Sequence, residues 1–200
     1  MTVRTGLHAL LTALALTLVP SVAAEARSKP RPCPASAEHR SGVARLYVST
    51  SPRDDTLYRV VSCVLRTRER RVLATWYWEG SITDQPGPQY WLTGRFAAIN
   101  QAYCSADPFD SEPCVGTLKV IDLRSGEKVA SAATGDFLND MVLTRRGSVG
   151  MIHRKQLTLV RKGAVEVVDA AADFYSLAHA EQSGTLYWTS GGQPRSTPLR

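Results

Sequence analysis

The sequence predicts an all-β protein built from short antiparallel strands. Short runs rich in Val, Leu, Ile, Tyr and Trp recur along most of the chain. No stretch carries an apolar period of 3.6 over three turns, the mark of an amphipathic helix. Gly147, Gly163 and Gly184 fall between the runs, where a reversing backbone often needs a positive φ.

The elements follow in order. Val43–Ser49 is the first strand-like run. Leu57–Leu65 and Arg71–Trp78 come next, joined by a charged tip at 66–70. Phe96–Tyr103 and Thr117–Leu123 flank the segment bounded by Cys104 and Cys114. Arg124-Ser125-Gly126-Glu127 reads as a tight turn into Lys128–Ala132. Met141–Thr144, Ser148–His153, Gln156–Val160, Ala164–Val168, Thr185–Thr189 and Arg195–Leu199 complete the set. Alternation is mixed: Leu118 and Val120 share a face with Asp122, opposite Lys119, Ile121 and Leu123. Such a pattern suits a sheet buried partly on both faces. Phe174–Glu181 could form a short helical turn, but Gly184 and the strand after it leave little room for one.

A faint repeat runs through these elements. Gly94-Arg95-Phe96-Ala97-Ala98-Ile99, Gly147-Ser148-Val149-Gly150-Met151-Ile152 and Gly184-Thr185-Leu186-Tyr187-Trp188 each set a turn glycine before an apolar strand. Quasi-repeats of short antiparallel strands are the sequence form of propeller blades. With Leu118-Lys119-Val120-Ile121-Asp122-Leu123-Arg124-Ser125-Gly126 and Leu186-Tyr187-Trp188-Thr189 before Gly191-Gly192, the chain resembles exported β-propeller-like repeat proteins. The resemblance spans 43–199 and implies three or four propeller-like blades. A β-sandwich is the alternative architecture.

The N-terminus supplies the compartment. Arg4, the apolar run Leu7–Val19 and the small residues ending at Ala24 form the three parts of a secretory signal, cleaved after Ala24 or, alternatively, after Ala26. The apolar run is shorter than the roughly 20 residues needed to span a bilayer. The expected organisation is a signal peptide at 1–24, an extended Pro/Arg/Ser-rich lead-in at 25–42 and a β-repeat domain at 43–200. The product is expected to be secreted or otherwise extracytoplasmic. There, an even cysteine count points to two disulfides among Cys33, Cys63, Cys104 and Cys114. Three pairings are open. Cys104–Cys114 is preferred because the two bracket a loop between strands, and Cys33–Cys63 then follows by exclusion.

The chain has 24 Lys+Arg against 18 Asp+Glu, a net charge of +6. The charge is dispersed along the sequence. Its densest run, Arg66-Thr67-Arg68-Glu69-Arg70-Arg71, reads as a solvated hairpin tip, not a nucleic-acid site.

Candidate site residues are few. Trp76, Tyr77, Trp78, Tyr90 and Trp91 cluster in sequence. Exposed, Trp76, Trp78, Tyr90 and Trp91 would offer flat apolar plates for sugar rings; buried, they anchor a core. Asp107, Asp110 and Glu112 lie between Cys104 and Cys114. Their spacing matches no calcium loop, so they read as a solvated acidic tip. His153 and His179 have no sequence-adjacent partner. No Gly-x-Ser-x-Gly, CxxC or phosphate-cradling Gly-rich loop occurs, and no cofactor or metal is expected. The primary expectation is therefore a non-catalytic exported module that binds a protein or polymer. A glycan- or wall-binding module using the aromatics and a hydrolase with dispersed acidic residues are the alternatives.

Overall fold

The computed structural model describes residues 31–77, 87–104 and 114–199. Among these there is no helix, and the strands form four antiparallel sheets. Sheet I contains β1 (His39–Arg40), β2 (Ala44–Ser51), β3 (Asp54–Val64) and β4 (Arg70–Tyr77). Sheet II contains β5 (Gln89–Thr93), β6 (Phe96–Tyr103), β7 (Val115–Asp122) and β8 (Lys128–Ala133). Sheet III contains β9 (Asp140–Leu143), β10 (Val149–His153), β11 (Gln156–Arg161) and β12 (Ala164–Asp169). Sheet IV has three strands, β13 (Ala178–Ala180), β14 (Thr185–Ser190) and β15 (Gln193–Pro198). Every sheet is a meander in which consecutive strands pair.

Three first strands escape the sequence pattern. β1 lies inside the stretch expected to be lead-in, and β5 contains the aromatics Tyr90 and Trp91. Over Phe174–Glu181, where the sequence leaves little room for a helical turn, there is a turn and β13, which pairs Ala178 with Tyr187 and His179 with Leu186. β1 and β13 are too short to display an alternation, and β5, five residues long, is half-buried at every position. Their partners, not their own composition, hold them extended.

A small sheet cannot cover its own apolar faces, so each must press against another layer. Here the layers come in series. Ala44, Leu46 and Val64 of sheet I pack against Ala97 of sheet II and Leu123 just after β7. The other face of sheet II, with Ala98, Leu118 and Val120, packs against Met141, Leu143, Val149 and Met151 of sheet III. Ile152, Leu157 and Leu159, from the far face of sheet III, meet Leu186 and Trp188 of sheet IV. Sheets II and III are therefore buried on both faces, which accounts for the mixed alternation of Leu118–Leu123. Gly150 lets the last pair approach closely: a Cβ there would stand 2.7 Å from a Leu186 methyl carbon.

Two disulfides are present, Cys33–Cys63 and Cys104–Cys114. Cys63 lies on the face of sheet I that points away from sheet II, beside its register partners Arg45 and Arg70. The Arg45 guanidinium donates to the carbonyls of Cys33 and Pro34 at 3.1 and 2.6 Å, and Arg70 donates to that of Pro32 at 2.8 Å. The disulfide and these bonds clamp the N-terminal segment over a sheet face that has no neighbouring sheet in the core clusters. Cys104–Cys114 ties the end of β6 to the start of β7.

The bridges close loops of different length, with separations of 30 and 10 residues. On the chain-entropy model, removing Cys33–Cys63 by a double Ser substitution should cost about 3 to 4 kcal/mol, and removing Cys104–Cys114 less. Urea midpoints of the two double variants check this. An unchanged midpoint without Cys33–Cys63 would contradict the clamp.

Candidate functional site

Antiparallel meanders place alternate turns at opposite ends. One end of each sheet carries its first-to-second-strand turn, and these four turns touch in series. Ser41 Oγ, before β2, donates to the Gly94 carbonyl in the equivalent turn of sheet II at 2.6 Å. A Cβ on Gly94 would lie 3.7 Å from Arg145 Cγ in the turn of sheet III. Arg145 Nε in turn pairs with Glu181 Oε2 in the turn of sheet IV at 2.8 Å. The glycine repeat has its physical basis here. Gly94, Gly147 and Gly184 all occupy this turn with φ of 57, 80 and 64°, a left-handed backbone that a Cβ disfavours.

Between the last two of these turns lies a cavity of about 530 Å³. It is lined by Thr144, Arg145 and Arg146 on one side, His179, Glu181 and Ser183 on the other, with Leu199 closing part of it. The walls are fixed by backbone bonds: Gly184 N–H donates to the Ala180 carbonyl at 2.8 Å, and Leu199 N–H to that of Gly184 at 2.7 Å. Thr144 Oγ1 accepts from the Ser148 and Arg146 amides at 3.1 and 3.3 Å. His179 Nε2 is buried without a hydrogen-bond partner. The lining mixes polar and apolar surface and includes the exposed residues Arg145 and Arg146, with Glu181 as its one carboxylate.

The other sequence candidates are distributed elsewhere. Trp76 is half-buried, stacked on Tyr58 at 5.5 Å between sheets I and II. Tyr90 packs in the same layer, beside His39, and its hydroxyl donates to the Glu38 carboxylate. Burial, reinforced by that carboxylate, pushes the Tyr90 phenol above its ordinary range. Trp91, on the opposite face of β5, packs against the layer between sheets II and III. Trp76 and Tyr90 come together; Trp91 does not join them. Trp78 lies outside the described residues, as do Asp107, Asp110 and Glu112.

His153 and His179 lie apart. His153 ends β10 at the opposite end of the sheets from the cavity. It sits near Gly135, with Arg154 and Asp136 as its charged surroundings. Asp136 also approaches Cys104 and Cys114, but those sulfurs are bonded to each other and offer no thiolate to a metal. The sequence missed the cavity because its two walls come from turns far apart in the chain, around Gly147 and Gly184, and only a turn glycine is common to them. The turn glycines were the one signal that marked their equivalence.

No protein-family model and no curated protein matches the chain. One solved structure, titled "Crystal Structure of Mitotic Checkpoint Complex", is similar over 77% of this chain and 50% of its own, at 10% identity and a TM-score of 0.30. The chain spans half the length of that neighbour, and a likeness at this level carries no argument about function.

Burial, followed by the Arg154 charge, holds His153 below its usual 6.5, with Asp136 opposing. Between the lowered folded value and 6.5, the unfolded chain binds more protons than the folded one. Stability is therefore full above 6.5 and falls as the pH drops through that value toward the folded one. His153→Gln should flatten the pH dependence of the urea midpoint between about pH 8 and pH 5. An unaltered slope would remove His153 as its source.

Proposed function

We propose that the chain is an exported, non-catalytic binding module in which a row of blade-like sheets holds a ligand against the turns at one end. The observation that carries this reading is the series Ser41, Gly94, Arg145 and Glu181. It makes one surface out of four separate turns and opens the cavity between the last two. Turns fixed on a rigid β scaffold are a common place for recognition. A concave site with a few convergent polar groups is a common form for it.

The compartment reading has its own support. Two disulfides suggest oxidising, extracytoplasmic surroundings. That agrees with the signal-like start from Met1 to Ala24. The propeller-like reading is supported by four meanders stacked face to face, with β1 beside β5 and β5 beside β9. A hydrolase of the acid-pair kind finds little support in the cavity, where Glu181 is alone and already held by Arg145.

Co-sedimentation of the disulfide-intact mature chain with the purified envelope of the producing cell tests the proposal. Wild type should pellet with the envelope. Arg145→Ala with Glu181→Ala should weaken binding about tenfold, or roughly 1.4 kcal/mol. Wild type remaining in the supernatant, or releasing soluble products from the envelope, would overturn it.

A further inference from the structure

Basic residues that are scattered in the sequence gather at one end of the fold. The turns there, between first and second and between third and fourth strands, carry Arg66, Arg68, Arg95, Arg124, Arg145 and Arg146, together with Lys162. The strand residues that flank these turns add Arg40, Arg70, Lys128 and Arg161. All of these except Arg161 are exposed. Against these eleven cations stand Glu69, Asp122, Glu127, Glu166 and Glu181. Four of these five acids are already engaged: Glu69 by Arg71 at 2.7 Å, Asp122 by Arg95 at 3.1 Å, Glu181 by Arg145 at 2.8 Å, and Glu166 by Arg161.

The opposite end has the reverse balance. Among the described residues its turns and flanking positions hold Arg53, Arg154 and Lys155 against Asp54, Asp136, Asp140, Asp169 and Asp173. The segregation follows from topology. In a meander every second turn returns to the same end, and the contacts from Ser41 to Glu181 align that end across all four sheets. Arg71 reaching the turn at Gly126 aligns the third-to-fourth turns of sheets I and II as well.

We infer that this basic end is a docking surface for an anionic polymer bearing closely spaced carboxylate, sulfate or phosphate groups, with the cavity at Arg145 and Arg146 as one station along it. The inference deepens the binding-module reading and rests on it. Nine of the eleven cations are arginines, whose planar fork can meet an oxyanion through two parallel hydrogen bonds. A field of one sign across an entire end also raises the local concentration of a polyanion and speeds encounter. A polymer fits better than a bilayer. Only single valines, Val72, Val129 and Val165, are exposed near these turns, and no aromatic is exposed beside them, so that end lacks the apolar patch that would insert among acyl chains. Tyr77, Tyr103, Val115, Phe174 and Tyr175 are exposed at the opposite end instead.

The test compares two charge-matched triple variants of the disulfide-intact mature chain. One carries Arg124→Gln, Arg146→Gln and Lys162→Gln at the basic end. The other carries Arg53→Gln, Arg154→Gln and Lys155→Gln at the opposite end. Both lose three positive charges, and circular dichroism verifies that both fold. Binding is measured to polygalacturonate, dextran sulfate and polyphosphate, with neutral dextran and phosphatidylglycerol vesicles alongside. Wild type should bind one or more of the three polyanions with strong salt dependence, and neutral dextran not at all. The tightest polyanion identifies the oxyanion. The basic-end triple should lose about tenfold in affinity and the control less than about twofold. Equal losses in both variants, no polyanion binding at about 0.15 M salt, or tighter binding to the vesicles would each overturn the inference. Envelope binding retained undiminished by the basic-end triple would overturn it too while leaving the module reading intact. Failure of wild type to bind envelope at all would remove that reading itself.

Discussion

The structure depends on the mutual burial of sheet faces. A meander of three or four short strands with two apolar faces leaves one or both open to water unless another layer covers them. In this chain each core cluster is shared by successive sheets, from I to II, II to III and III to IV. Leu46, Leu118, Leu159 and Leu186 are fully buried at these joints. Each such side chain is worth roughly 1.5 to 3 kcal/mol of transfer free energy. Stability is therefore a property of the row, and the exposed faces at its two ends need separate treatment. The first is covered by the clamp of Cys33 on Cys63. On sheet IV, the face opposite Leu186 presents Tyr187, which stays 45% exposed.

Polar groups make the joints specific. Asn100 is fully buried, yet its side chain is satisfied: Nδ2 donates to Gln89 Oε1 at 3.0 Å, and Oδ1 accepts from Thr134 Oγ1 at 2.8 Å. Gln89 completes the link by exchanging two bonds with the backbone of Leu138, at 2.9 and 2.8 Å. This network pins the crossover from sheet II to sheet III. A buried amide with no partner would cost more than its bonds return, so the crossover has one favourable path. At the next joint the Trp188 indole donates to Asp169 at 2.7 Å, and Leu177 N–H to Asp140 at 2.8 Å. Sheet packing is non-directional; these bonds set how the turns of successive sheets line up.

Much of this was legible in the sequence. The longer strands carry β-branched and apolar residues between turn residues, and all of them were placed within a few positions. The repeat at Gly94, Gly147 and Gly184 was visible because left-handed turns favour glycine. The first strands β1, β5 and β13 were not legible: β1 and β13, of two and three residues, have no period, and β5, of five, is half-buried throughout and so shows no alternation. The aromatic group of Trp76, Tyr90 and Trp91 looked like one surface in sequence. It is divided because neighbouring residues of β5 point to opposite faces. The cavity and the basic end were invisible for the same reason. Both are assembled from turns far apart in the chain, and only the alignment of the sheets brings them together.

The alignment of sheets is open to direct test. Methyl NOESY spectra of the disulfide-intact chain report which protons lie near Leu186, the side chain at the last joint. The account predicts cross-peaks from its methyl groups to Gly150 and Leu159 of sheet III. Methyl groups that contact sheet I residues instead, or that show solvent exposure, would contradict the serial packing on which the turn row and its charge depend.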